Sequence, residues 1–334
     1  MARILLTQAI HPQAERLLAA LGEVVTAPAT DPDTLRRSAA GCTVIVVRAP
    51  LPDDIFAAAP SIVGAVRHGA GVDMIPVETA SAHGVLVANV PGVNAVSVAE
   101  HVVMKMLQLA RRGAALDAAL RAARDRSWPA ARALADAGFE LGGRTVGLVG
   151  FGHVVRAIGR LCASGFSMRV LACTRRGLPA DAPPWVERAA SLGALLAQSD
   201  FVVLACPLDD ATRGLVGAAE LAQMRRGAFL VNVARGPVVQ TEALLGALRS
   251  GQLGGAALDV FDVQPLPADH PLWAMEQVLI TPHVAGITDD SMRRMGEGAA
   301  RAAASLLRGE LPPNCINPQA LPAFLERCRQ SAAH

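Results

Sequence analysis

Residues 144–159 read Arg-Thr-Val-Gly-Leu-Val-Gly-Phe-Gly-His-Val-Val-Arg-Ala-Ile-Gly, and this stretch decides the fold. A short β-branched run, Thr145–Val149, meets a glycine turn, Gly150-Phe151-Gly152, and then a helical pattern. Gly150 allows the tight turn, and Gly152 lets the backbone approach a pyrophosphate. The N-terminus of the following helix offers free N–H groups and the positive end of its dipole to that anion. A dinucleotide-binding βαβ unit begins in this way. The third glycine position of the fingerprint holds Val155, where close helix–strand packing usually wants no side chain. The unit also starts far into the chain, so other structure fills the segment before it.

Working outward, strand-like runs recur upstream at Arg3–Leu6, Thr43–Val47, Ile62–Val66 and Leu86–Asn89, with helical patterns between them at Pro12–Leu21 and Asp33–Ala40. Downstream, the runs are Arg169–Cys173, Phe201–Ala205, Phe229–Asn232, Ala256–Asp259 and Val278–Thr281. Strands alternating with helices mean parallel sheets with crossover connections. Two long amphipathic stretches stand apart, Val96–Arg112, continuing irregularly to about Ala137, and Asp289–Arg308. The expected architecture is therefore α/β: two Rossmann-like or flavodoxin-like domains with parallel sheets, a cleft between them and two long interdomain helices. Residues 1–95 and 288–334 form a discontinuous substrate domain, and residues 96–287 form the dinucleotide-binding domain.

The bulk composition agrees. The 334 residues are 52% hydrophobic and 18% charged, which suits buried parallel strands. A net charge of +2 is too small to argue for nucleic acid or a membrane surface. Six cysteines lie scattered without a CxxC pair, some inside apolar runs such as Leu171-Ala172-Cys173. They read as buried reduced thiols, and no metal site is expected. The opening apolar run stops at Gln8, too short for a signal-peptide core, and no run reaches spanning length, so a cytoplasmic protein is expected.

Four loops at strand ends carry the polar groups. His68-Gly-Ala-Gly-Val-Asp73 exposes backbone N–H groups that can hold a carboxylate, or is an ordinary turn. Arg235, directly after a buried strand and before Gly236, suits a carboxylate clamp or a surface ion pair. The third loop runs through Asp259, Asp262, Gln264 and Pro265. In the fourth, Thr281-Pro-His283, the histidine suits proton transfer or a structural role.

Together with Pro91-Gly-Val-Asn-Ala-Val-Ser-Val-Ala-Glu-His101, Asn232-Val-Ala-Arg-Gly236 and Leu258-Asp-Val-Phe261, these motifs make the chain resemble the D-isomer-specific 2-hydroxyacid dehydrogenase family, essentially end to end. That family includes phosphoglycerate dehydrogenase, glyoxylate/hydroxypyruvate reductase and formate dehydrogenase. The resemblance implies that Arg235 orients the substrate carboxylate and carbonyl, and that His283 is the acid/base. It implies that Ala70 and Gly71 cradle the carboxylate and that Asn94 lies near substrate and nicotinamide. On the cofactor side it implies Gly150, Gly152, His153 and Val154 at the pyrophosphate, and Cys206, Pro207 and Thr212 lining the groove. Val233, Ala234, Ala285 and Gly286 lie beside it, and Asp259 contacts the nicotinamide amide. Glu100 and His101 are expected to be mainly structural. A homodimer through the long helix is the usual family assembly.

Two departures shape the functional expectation. Gln264 stands where most of the family has a glutamate paired with the catalytic histidine; it can orient the ring but brings no charge. Formate dehydrogenases share this glutamine. After Cys173, where NAD-specific relatives place an acid for the ribose hydroxyl, the chain reads Thr174-Arg175-Arg176. The two arginines can bind a 2′-phosphate or be plain solvated charges, and the expectation is NADP(H) in preference to NAD(H). The leading function is reduction of a small 2-keto acid such as glyoxylate or hydroxypyruvate, with no nucleic-acid or membrane partner. The alternatives are formate dehydrogenase-like hydride transfer and a non-catalytic cofactor-sensing protein.

Overall fold

The structure is a computed structural model and describes residues 2–123 and 128–332. The chain divides into two compact units, Met1–Asn94 with Ile287–His334, and Ala95–Gly286.

The first unit is built on β1 (Arg3–Leu6), β2 (Glu23–Thr26), β3 (Val44–Val47), β4 (Gly64–Arg67) and β5 (Leu86–Ala88). The order is β2-β1-β3-β4-β5 and every pairing is parallel. This is the flavodoxin-like winding. The apolar run Val-Ile-Val-Val of β3 lies in the middle of the sheet and all four residues are buried. One face is covered by the helix Asp289–Leu307, whose Ala299, Ala303 and Leu306 pack with Ile4, Leu6, Val44 and Val66. A Cβ at Gly64 would lie 2.5 Å from Leu306, so glycine there admits the helix. The segment after Gly309 runs back along β5, where the fully buried Asn317 accepts a hydrogen bond from the Val87 amide.

The second unit contains β6 (Thr145–Val149), β7 (Arg169–Cys173), β8 (Val186–Arg188), β9 (Phe201–Leu204), β10 (Ala228–Asn232), β11 (Leu253–Leu258) and β12 (Val278–Ile280). Their order is β12-β11-β10-β9-β6-β7-β8, again all parallel. Strand order reverses at β6, so the crevice where α/β sheets bind ligands opens at its carboxyl end. Helix His153–Phe166 follows β6 directly, and Val155 is completely buried among Val98, Val102 and Leu148. The missing third glycine therefore leaves a packed position. Within this helix the close approach falls one turn later, where a Cβ at Gly159 would lie 2.4 Å from the Trp185 ring.

The edge strands β2 and β8 were not anticipated. Each pairs on one side only and carries exposed glutamate, so neither shows a continuous apolar run. The amphipathic stretch expected from Val96 ends as the helix Ala95–Arg111, stopped by Arg112 at φ 52°, and a separate helix Gly113–Ala123 follows. The part of that stretch at 124–127 lies outside the described residues. Of the cysteines, Cys42, Cys162 and Cys206 are buried, whereas Cys173, Cys315 and Cys328 are only partly covered. No helix among the described residues is long and apolar enough to cross a membrane.

Candidate active site

The carboxyl ends of β10, β11 and β12 deliver the arginine, the aspartate and the histidine singled out above. After β10, the buried side chain of Asn232 folds the turn. Its Nδ2 donates to the Arg235 carbonyl at 3.1 Å, and its Oδ1 accepts from the Ala234 amide at 3.0 Å. Arg235 is half-buried, and its Nη1 donates to the Ala234 carbonyl at 2.8 Å. Gly236 then passes so close to the next loop that a Cβ on it would lie 2.0 Å from the Phe261 carbonyl carbon. The Arg235 turn and the loop carrying Gln264 are thereby pressed together.

His283 is exposed and adopts φ 56°, the left-handed region, which costs a non-glycine residue about 1–3 kcal/mol. Asp259 over-determines that conformation. Its carbonyl accepts from the His283 amide at 2.8 Å. Its carboxylate, 3% exposed, accepts from Thr281 Oγ1 at 2.7 Å and from the amides of Val284 and Ala285 at 2.9 and 2.8 Å. No sequence signal marks this bracing role; the resemblance implies only a cofactor contact for Asp259.

The imidazole is oriented by Gln264, whose Oε1 lies 3.1 Å from His283 Nδ1. Gln264 Nε2 donates to the Phe261 carbonyl at 3.3 Å, which turns the amide oxygen toward the ring. An amide oxygen only accepts, so Nδ1 is the donor in this pair. Asp262, two residues earlier, accepts a 2.5 Å hydrogen bond from Thr241.

Beneath this loop lies a buried polar group that sequence reasoning missed in part. His101 Nε2 is 3.3 Å from Thr281 Oγ1, and Lys105 follows one turn along the same helix, 7% exposed. Burial holds both below their usual protonation range, against the pull of the Asp259 charge. A lysine inside the apolar pattern Val98, Val102, Met106 was the available signal for it.

Toward the dinucleotide side, Gly150 has φ 106° and its Cβ position is 3.2 Å from the Ala205 carbonyl oxygen, a place only glycine suits. Gly152 caps the helix with no side-chain cap bond, and nothing lies within 4 Å of its Cβ position. The open, uncapped helix start fits a pyrophosphate. His153 is exposed and Val154 half-buried on that first turn. Beside it, Cys206 is buried and Pro207 exposed, while Thr212 is buried with its hydroxyl donating to the Pro207 carbonyl at 2.7 Å. Val233, Ala234, Ala285 and Gly286 sit in the turns just described.

At the end of β7, Thr174 is half-buried and Arg175 and Arg176 are exposed. Arg175 Nη2 meets Asp209 Oδ2 at 2.6 Å. Arg188 joins this corner from β8, paired in register with Ala172, its guanidinium 3.5 Å from a Cβ position on Gly177. It escaped the sequence reading because its neighbours are set by an edge pairing.

In the first unit, the loop after β4 holds Gly69 at φ 138°. The Gly71 carbonyl accepts from Arg67 Nε at 2.9 Å, and the Ala70 carbonyl accepts from Asn89 at 2.6 Å. With its carbonyls tied back, the exposed turn presents the opposite face of its peptides. Asn94 ends the turn before the helix at Ala95. His68, beneath the loop, is 3% exposed and its pKa is pushed down to about 4 by burial and by the charges of Arg48 and Arg67.

Residues 103–285 match the family described as D-isomer specific 2-hydroxyacid dehydrogenase, NAD binding domain. A glyoxylate reductase of Korarchaeum cryptofilum is 37% identical over 270 residues, 80% of this chain and 80% of that one. A D-3-phosphoglycerate dehydrogenase of Methanocaldococcus jannaschii is 32% identical over 326 residues, 96% of this chain and 60% of the other. Among solved structures, the NADPH-dependent glyoxylate/hydroxypyruvate reductase of Sinorhizobium meliloti, in complex with NADP and malonate, superimposes with a TM-score of 0.81 at 26% identity, covering 94% of this chain and 96% of that one.

Proposed function

The chain belongs to the D-isomer specific 2-hydroxyacid dehydrogenase family, and from that premise we propose that it is a cytoplasmic reductase of glyoxylate, hydroxypyruvate or a similarly small 2-keto acid, with NADP(H) preferred over NAD(H). It is an NAD(P)-dependent oxidoreductase acting on 2-hydroxy acids. When bound, the nicotinamide supplies or takes up the hydride. Gly150, Gly152, His153 and Val154 hold its pyrophosphate end, and Arg175, Arg176 and Arg188 answer a 2′-phosphate. Arg235 grips the substrate carboxylate with its planar fork and turns the ketone toward His283. His283 Nε2 gives a proton to the carbonyl oxygen as the alcohol forms and takes it back in the reverse direction. By the same resemblance, Ala70, Gly71 and Asn94 are the proposed substrate-side residues of the first unit.

The observation that carries this reading is the oriented imidazole. Gln264, itself fixed by the Phe261 carbonyl, holds His283 Nδ1 at 3.1 Å. A ring so oriented serves a proton shuttle. The uncharged partner also favours a second reading, formate oxidation, which needs hydride transfer and no proton at His283. NADPH and NADH consumption with glyoxylate, hydroxypyruvate, pyruvate and longer 2-keto acids separates the two, run beside NAD(P)⁺ reduction by formate. Turnover of formate alone would sink the reductase reading, and cofactor binding without any turnover would favour a sensing role.

We also propose a homodimer. Val96, Met104 and Leu107 are exposed at helical spacing on Ala95–Arg111, with the exposed Glu100 between Val96 and Met104, a largely apolar face suited to a second copy. Sedimentation at micromolar concentration checks it, and a monomer would refute it.

A further inference from the structure

Two loops flank the glycine turn after β6, because β6 lies between β7 and β9 in the sheet. The loop after β7 carries Arg175 and the loop after β9 carries Asp209, and the two side chains meet at 2.6 Å. Asp209 is set in place by its own loop. Its Oδ1 accepts from the Ala211 amide at 3.0 Å and faces Thr212 Oγ1 at 3.1 Å. Its amide donates to the same hydroxyl at 2.8 Å, and that hydroxyl donates to the Pro207 carbonyl. The one remaining carboxylate oxygen points at Arg175. Partial desolvation pushes its carboxyl up, yet the hydrogen bonds from Arg175 and Thr212 prevail and hold it below the usual range. A dinucleotide fold that reads NAD places its acid at the end of the second strand. Here that position is Thr174, and an acid arrives from a different loop onto the arginine beside it.

Resting on the NADP(H) reading above, we infer that Asp209 is a specificity-determining residue. It occupies Arg175 as a built-in anion, competes with the cofactor's 2′-phosphate for that guanidinium, and so limits the preference for NADP(H). Arg176 and Arg188 have no such partner among the described residues. Arg175 must be taken from Asp209 before it can serve. The pair is exposed, 63% for Arg175 and 38% for Asp209, so water and salt screen it and a phosphate can displace the carboxylate.

Asp209→Asn tests this, because the amide keeps an oxygen for the Ala211 and Thr212 contacts and loses the charge. Calorimetric titration of adenosine 2′,5′-bisphosphate and of 5′-AMP reads the 2′-phosphate alone, apart from turnover. The variant should bind the bisphosphate roughly two- to fivefold more tightly, the range an exposed ion pair commands, with 5′-AMP unchanged. In an Arg175→Ala background the same substitution should give no gain. An equal gain in that background would overturn the inference, since Asp209 would then act by direct repulsion. So would an unchanged bisphosphate affinity with weakened 5′-AMP or NADH binding, which would make Asp209 a ribose ligand. The NADP(H) reading fails separately: wild type would show no preference for the bisphosphate, and Arg175→Ala and Arg176→Ala would not weaken it. A preference that emerges only in Asp209→Asn would still support the competition.

Discussion

Gly236→Ala is the sharpest perturbation of the site. A Cβ there lies 2.0 Å from the Phe261 carbonyl carbon and 2.3 Å from both the Phe261 oxygen and the Asp262 nitrogen, whereas ordinary contact begins near 3.4 Å. All three obstacles are backbone, so no side chain can swing aside, and the Arg235 turn and the Gln264 loop must separate by more than 1 Å. Overpacking of this kind costs about 1–3 kcal/mol of stability. A misplacement on the order of 1 Å between reacting groups costs about 10²-fold in rate. The variant should therefore fold, melt a few degrees lower, and lose kcat for the keto acid by about two orders of magnitude. NADPH affinity, proposed to come from the Gly150 turn and the Arg175 corner, should change only a few fold. Steady-state kinetics, cofactor titration and thermal melting of one preparation give all three numbers. A folded Gly236→Ala protein with wild-type kcat would refute the claim that this approach fixes Arg235 relative to Gln264.

Gln264→Glu places a carboxylate beside His283; about 1 kcal/mol at 4 Å in water, against roughly 1.4 kcal/mol per unit, should raise the midpoint of the reductive pH–rate profile by just under one unit. Because reduction uses the protonated ring, the variant should keep its rate to higher pH, and superimposable profiles would remove the electrostatic role of position 264. His68, neutral when folded with a pKa near 4 against 6.5 unfolded, contributes stability that is present above pH 6.5 and lost as pH falls toward 4, by up to about 3 kcal/mol. Urea melts of wild type and His68→Asn across pH 7 to 5 check this, since equal slopes would exclude His68 as the source. Val155→Gly should restore the family glycine yet cost about 3 kcal/mol by opening a cavity, with no tighter NADPH binding; improved affinity would mean that the valine obstructs the turn.

The central strands were legible because a parallel strand buried on both faces is a plain apolar run, as β3 and β9 are. The strands β2 and β8 were not, since the exposed Glu23 and Glu187 break the apolar pattern. At the site, Arg235 and His283 stand out as polar residues after buried strands, and the roles expected of them and of Gln264 come from the family resemblance. What stayed hidden depends on register between distant loops: Asp209 on Arg175, Arg188 at the same corner, and Thr241 on Asp262. Asp259 was visible as a residue but not as the brace of the histidine loop, because its three carboxylate partners lie more than twenty residues away in sequence.

The helix Asp289–Leu307 covers a sheet whose five strands are all complete by Ala88, and it is encoded after the whole of Ala95–Gly286. On the ribosome, the face formed by Ile4, Leu6, Val44 and Val66 must wait while the intervening unit is made, roughly 10–40 s at ordinary synthesis speed. During that interval the nascent first unit's apolar face is only partly covered, by the helix Pro12–Ala19 through Ala14 and Leu18, whereas the second unit emerges as one uninterrupted segment. The first unit thus completes its core last, and the wait for the returning helix is the stage at which its apolar face is most open to off-pathway contacts.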